Sequence, residues 1–258
     1  MKQITSRDNP LFKQLKKLVT SSRERRKMGK TLLDGAHLLQ SYRTMGAVPE
    51  LLIVAERARQ NAEILALLAG VDEGAVVSLP DAMFAELSPV ETPSGILALI
   101  VIEPLMPPLQ PDFCLLVEGV QDPGNLGSIL RSAAAAGVAV AYLSESCADV
   151  WSPKVLRGGM GAHFALAIVE KADLLHIVKG FEGVSVATSL SGTKLFYQLN
   201  LTGRVAILVG NEGAGLSAAL LLAASEQVRI PMLGSTDSLN VAAATAICLF
   251  ERVRQLSA

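Results

Sequence analysis

The chain has 258 residues, half of them hydrophobic but only 4% aromatic, so its cores must be built from Leu, Val, Ile and Ala. That length suffices for one large or two ordinary domains, and no apolar run reaches the ~18 residues needed to span a bilayer. A formal net charge of -1 argues against a surface that coats nucleic acid generally.

Residues 1–30 depart from that neutral average. Lys2, Arg7, Lys13, Lys16, Lys17, Arg23, Arg25, Arg26, Lys27 and Lys30 face only Asp8 and Glu24, which makes a candidate phosphate footprint or an ordinary solvated face. The opening MKQITSRDNP has no apolar stretch of the kind a signal peptide needs. Asn9-Pro10 followed by Leu11, Leu15 and Leu18 predicts an amphipathic helix, and the Arg/Lys run at 23–30 a second, exposed helix or turn. Strands are expected at 31–34, 51–55, 75–78 and 96–102, with helices at 36–45, 60–68 and 80–87. This is the pattern of a small α/β layer domain.

Residues 103–111 place four prolines in nine positions, and proline holds itself and its predecessor extended. They read as a linker between domains at 1–102 and 112–258. Beyond it, strands are expected at 113–118, 138–143, 165–169, 184–188, 205–209 and 227–230. Helices are expected at 125–137, near 153–157, and at 172–179, 217–224 and 240–255. The fold class is α/β, with a mostly parallel sheet covered by helices on both faces. Cys114, Cys147 and Cys248 lack metal-ligand spacing and read as small buried hydrophobes of a reduced, cytoplasmic protein without a bound metal.

Three loops carry chemistry, each after a buried strand, where open α/β sheets bind ligands. The first runs Gln121-Asp-Pro-Gly-Asn125-Leu-Gly-Ser-Ile-Leu-Arg131 and opens a helix whose N-terminal amides face any ligand there. Asn125 is either that helix's N-cap or a ligand contact. Arg131 lies among Ile129, Leu130 and alanines, where an unpaired guanidinium is costly, so it points to a ligand or an interface. In the second loop, Gly210-Asn211-Glu212-Gly213-Ala214-Gly215, glycines allow tight turning and close ligand approach, and Glu212 could pair with Arg131 or a substrate amine. The third breaks at Pro231 and reaches Ser238 and Asn240, either of which could simply cap the final helix. Together the loops suit a nucleotide-like ligand.

Taken as a set, N-L-G-S-I-L-R at 125–131, V-G-N-E-G-A-G-L at 209–216 and S-L-N-V-A-A-A at 238–244 resemble the three motifs of the SpoU (TrmH-like) family of RNA ribose 2′-O-methyltransferases. I-T-S-R-D-N-P at 4–10, L-L-D-G-A-H at 32–37 and E-T-P-S-G-I at 91–96 resemble that family's L30e-like substrate-binding domain. The resemblance implies a deep trefoil knot in the C-terminal domain, a homodimer with the active site at its interface, and S-adenosylmethionine as cofactor. It implies that Gly210, Ile230 and Leu239, with Asn211 and Gly215, hold the cofactor. It also implies a catalytic set of Arg131, Asn125, Glu212, Ser238 and Asn240. In the family's scheme the arginine matching Arg131 is the base. A free guanidinium stays charged near neutral pH, so an orienting and charge-stabilising role is the preferred one.

The implied substrate is ribosomal RNA, most directly 23S; transfer RNA and a catalytically silent RNA-binding protein are the alternatives. A nucleotide-dependent oxidoreductase fits less well. Its G-x-G-x-x-G would sit in a first strand–helix unit, whereas the spacing here is G-x-x-G-x-G, late in the chain. Two positions depart from the family pattern. Arg157-Gly-Gly-Met-Gly161 replaces Arg-Ala-Ser-x-Gly, and Asp34 replaces the usual Glu before Gly35.

Overall fold

The computed structural model describes residues 1–88, 90, 92–190, 192 and 194–257, and divides into two α/β units. In the first thirty-odd residues, β1 (Lys2–Gln3) is followed by α1 (Pro10–Thr20), α2 (Ser22–Met28) and β2 (Lys30–Asp34). Then come α3 (Ala36–Thr44), β3 (Leu51–Ala55), α4 (Ala62–Leu68), β4 (Val76–Leu79), α5 (Asp81–Ala85) and β5 (Ile96–Val101). The five strands form a mixed sheet in the order β1-β4-β3-β5-β2, in which β5 runs antiparallel to both its neighbours. β2, β3 and β4 are almost continuously buried, as apolar runs covered on both faces should be. Glu91, the first residue of the E-T-P-S-G-I stretch, lies outside the described residues.

Helix α1 forms where it is expected, but Phe12 takes the core position expected of Leu11, which is half-buried. Asn9 caps it by accepting from the Leu11 amide, and Phe12, Leu15 and Leu18 are buried. The expected exposed face at 23–30 is only partly so, because Arg25 is buried. Its Nη1 donates to the carbonyls of Leu18, at 2.5 Å, and Val19, at 3.1 Å, satisfying acceptors that the end of α1 leaves open.

The second part of the chain holds β6 (Phe113–Val117), α6 (Pro123–Ala135), β7 (Val140–Leu143), α7 (Pro153–Gly159), β8 (Ala167–Val169) and α8 (Leu174–Gly180). It continues with β9 (Val184–Thr188), β10 (Lys194–Leu195), β11 (Val205–Val209), α9 (Ala218–Ala223), β12 (Glu226–Arg229) and α10 (Val241–Leu256). Seven strands in the order β10-β12-β9-β11-β6-β7-β8 form a wholly parallel sheet. At its centre β6 and β11 are fully buried along their length. Two-residue strands β1 and β10 were too short to leave a periodic signal in the sequence.

The first unit comprises residues 1–103 together with 151–164, and the second residues 104–150 and 165–258. The sequence reading groups 151–164 with the second domain, but in the fold α7 packs on β2. Thr31 Oγ1 donates to the Trp151 carbonyl at 2.7 Å, Phe164 meets Tyr42 edge to face, and Arg157 approaches Asp34 at 3.9 Å. The two positions that depart from the family pattern therefore lie against each other. Asp34 is buried, accepts from Ser88 Oγ, and has its Oδ1 unpartnered. Burial raises its pKa above the ordinary aspartate range, against the opposing pull of Ser88 and Arg157. Cys114 and Cys248 are buried thiols pushed up to about 12 by desolvation, while Cys147 is only half-buried.

Candidate active site

The first loop builds its helix differently from the sequence expectation. Asp122, not Asn125, is the N-cap of α6: its Oδ1 accepts from the Asn125 amide at 2.7 Å, and Pro123 occupies the first helical position. Proline pre-sets the helical φ there and lacks only an N–H that would be unsatisfied anyway. The Asn125 side chain is thereby released. Its Nδ2 donates to Glu212 Oε1 at 2.9 Å, and its Oδ1 accepts from Asn240 Nδ2 at 2.9 Å.

Asn240 takes on both roles that the sequence left open. Its Oδ1 caps α10, accepting from Ala242 at 2.9 Å and Ala243 at 3.3 Å, while its amide reaches Asn125. A line Glu212–Asn125–Asn240 thus joins all three loops. Each such bond contributes on the order of 1 kcal/mol net, and more where it ends on a carboxylate. Ser238 is exposed and makes no hydrogen bond among the described residues.

The second loop is closed on itself. Asn211 and Gly215 exchange backbone hydrogen bonds at 3.1 and 2.9 Å, and Gly215 takes φ +69°, a left-handed conformation that glycine enters freely. A Cβ on Gly210 would sit 2.2 Å from the Gly215 carbonyl carbon, so that position requires glycine. The Asn211 side chain shapes the loop: Oδ1 accepts from Gly213 and Ala214, and Nδ2 donates to the Gly119 carbonyl at 2.7 Å. A further tie runs from the Ser217 amide to Glu118 Oε2 at 2.6 Å.

The second and third loops, with the end of β9, line a cleft of about 440 Å³. Small-molecule sites typically occupy ~300–1,000 Å³. Gly210, Asn211, Glu212, Gly215, Ile230, Ser238 and Leu239 all line it. Thr188, Ser189 and Leu190 also contribute, and the sequence reading missed them. Their signal was present: Thr188-Ser-Leu is another polar break at the carboxyl end of an apolar strand. Met232 and Leu221 add apolar wall from the third loop and α9.

Arg131 stands apart. It is exposed on α6, so the expected burial cost does not arise, and among the described residues it makes no hydrogen bond or ion pair, including with Glu212. Lys154 and Arg157 belong to α7, in the first unit.

A parallel sheet that gathers polar loops and a cleft at the carboxyl ends of its strands defines a ligand-binding α/β protein. The chain belongs to the SpoU rRNA Methylase family, which matches residues 112–250. Residues 9–98 match the MRM3-like substrate binding domain. The 23S rRNA (guanosine(2553)-2′-O)-methyltransferase RlmP of Bacillus subtilis is 35% identical over 257 residues, covering 97% of this chain and 98% of that protein. The 23S rRNA (guanosine-2′-O-)-methyltransferase RlmB of Escherichia coli is 30% identical over 88% of this chain and 99% of its own. Among solved structures, the SpoU methyltransferase AviRb of Streptomyces viridochromogenes, in complex with AdoMet, superposes with a TM-score of 0.85. It is 28% identical, with 97% of this chain and 99% of that one covered.

Proposed function

We propose that this chain is an S-adenosylmethionine-dependent RNA methyltransferase that acts on a ribose 2′-hydroxyl of large-subunit, 23S-type ribosomal RNA. The observation that carries the reading is the hydrogen-bonded line Glu212–Asn125–Asn240, which ties the three family motifs together beside the cleft. The names and cofactor of its relatives support the same substrate and cofactor.

The lining suits S-adenosylmethionine. Backbone groups of Gly210, Ile230 and Leu239 would hold its polar edges, Leu216, Leu221 and Met232 would cover its flat apolar part, and Glu212 would place a carboxylate near a cation. When bound, the cofactor supplies a methyl group on a cationic sulfur. The chain's own residues must align the ribose hydroxyl and assist loss of its proton. Asn125, Ser238 and Asn240 would position the ribose, and Arg131 would orient the hydroxyl and stabilise the charge that develops on it.

In this reading the exposed Arg131 meets a second copy of the chain, and the active site is completed across a homodimer. Phe250, 45% exposed, and Leu256, 54% exposed, leave apolar surface on α10 for such a contact. Residues 1–102 serve as the RNA-binding domain, 112–258 as the knotted methyltransferase domain, and the enzyme works in the cytoplasm without a metal. No described helix is long and apolar enough to cross a membrane.

The reading is tested by incubating purified chain with labelled S-adenosylmethionine and protein-free large-subunit RNA. Label should appear in a 2′-O-methylated nucleoside, and the chain should sediment as a dimer. Label in a base, or none, would remove the proposed reaction; a monomeric mass would remove the shared site.

A further inference from the structure

We propose that Lys17, at the end of α1, together with Arg23, Arg26 and Lys27 of α2, forms the surface on which this chain receives the phosphate backbone of its RNA. The proposal rests on the RNA-methyltransferase reading for the identity of the RNA.

The basic excess of residues 1–30 is spent unevenly. Arg7 and Lys16 both pair with Glu86, Lys13 with Asp8 and Lys30 with Glu50. Arg25 is buried and holds the end of α1. Lys17, Arg23, Arg26 and Lys27 are exposed, and among the described residues none of them has an acidic partner. Arg26 folds back on Ser22, bonding its hydroxyl at 3.1 Å, which leaves its charge uncompensated.

Arg23, Arg26 and Lys27 are three and four residues apart, so their side chains are neighbours on one side of the helix, and like charges at that spacing destabilise it. A seven-residue helix has little stability of its own. α2 keeps its place through the Ser21 cap, the left-handed Gly29 at φ 62°, and the buried Arg25 that fastens it to α1. The result is three mutually repelling cations on a helix held by tertiary contacts. A closely spaced row of point charges and guanidinium groups is what a phosphate backbone recruits through release of its counterions. Neither the cleft of the second unit nor the cavity beside Phe181 includes any of these residues in its lining.

The test compares full-length wild type with an Arg23→Gln, Arg26→Gln, Lys27→Gln variant and with a Lys13→Gln, Lys16→Gln variant as the paired-charge control. Binding to protein-free large-subunit RNA is measured without cofactor across a salt series. The patch variant should bind on the order of 10- to 100-fold more weakly at 0.1 M salt and lose roughly 2 from the slope of log affinity against log salt. Its thermal midpoint should hold or rise, since the repulsion within α2 is relieved, and in the methylation assay KM should rise while kcat holds. The control should lose under about threefold.

An unchanged slope in the patch variant overturns the proposal. So does equal loss in the control, and so does normal binding to naked RNA with binding lost only to whole subunits, which would assign the face to a ribosomal protein. A wild type that binds RNA with the predicted slope difference but transfers no methyl group would sustain the surface and remove the enzymatic reading instead.

Discussion

Asn125 shows how a single residue's role turns on its neighbours. Had it capped α6, its carbonyl oxygen would have been spent on a backbone amide; because Asp122 and Pro123 start the helix first, both ends of its side chain are free to join Glu212 and Asn240. Arg131 presents the opposite case, a guanidinium with no partner among the described residues. If it orients the ribose hydroxyl, Arg131→Ala should lower methyl transfer by about 10²- to 10³-fold, the scale on which a charge-stabilising group acts. Affinity for S-adenosylmethionine, read by calorimetry, should stay within about threefold. A variant with wild-type turnover would remove Arg131 from the chemistry. The sequence made these residues visible because polar groups between glycines after apolar strands are conspicuous. It could not show which amide would cap and which would bridge, since Asp122, Asn125 and Asn240 are all competent caps and only the three-dimensional meeting of the loops separates them.

At the scale of elements, the second loop is a wall whose curvature depends on glycine. Its closing bonds, between Asn211 and Gly215, bring Gly210 so near the chain that no Cβ fits. Gly210→Ala should therefore force the loop open, destabilise the unit by about 1–3 kcal/mol through overpacking, and weaken S-adenosylmethionine binding at least tenfold. Gly213→Ala is the natural comparison, because a Cβ there meets only Asn211 Oδ1 at 3.6 Å; equal affinities for the two variants would contradict this account of the wall. Most elements were legible in advance: β3, β9 and β11 begin and end where the apolar runs do. Elements held by other means were not. β10 is a two-residue strand paired with β12, and Arg25 looks like a surface cation until the open carbonyls of α1 are counted.

For the whole molecule, the chain first passes from one compact unit to the other between Glu103 and Pro104. What the linear order concealed is that 151–164 packs with the first unit through Thr31, Tyr42 and Asp34. Periodicity reports which face of an element is apolar, not which layer it will cover. The same holds for function. The second and third loops line one cleft with residues 188–190, and the first loop joins them through Asn125. The measurement that reaches the central claim most directly is a map of 2′-O-methylated riboses in large-subunit RNA from cells with and without this protein. At least one ribose should lose its methyl group in its absence and regain it when wild type, but not Arg131→Ala, is restored. An unchanged map, or a change confined to transfer RNA, would contradict the account.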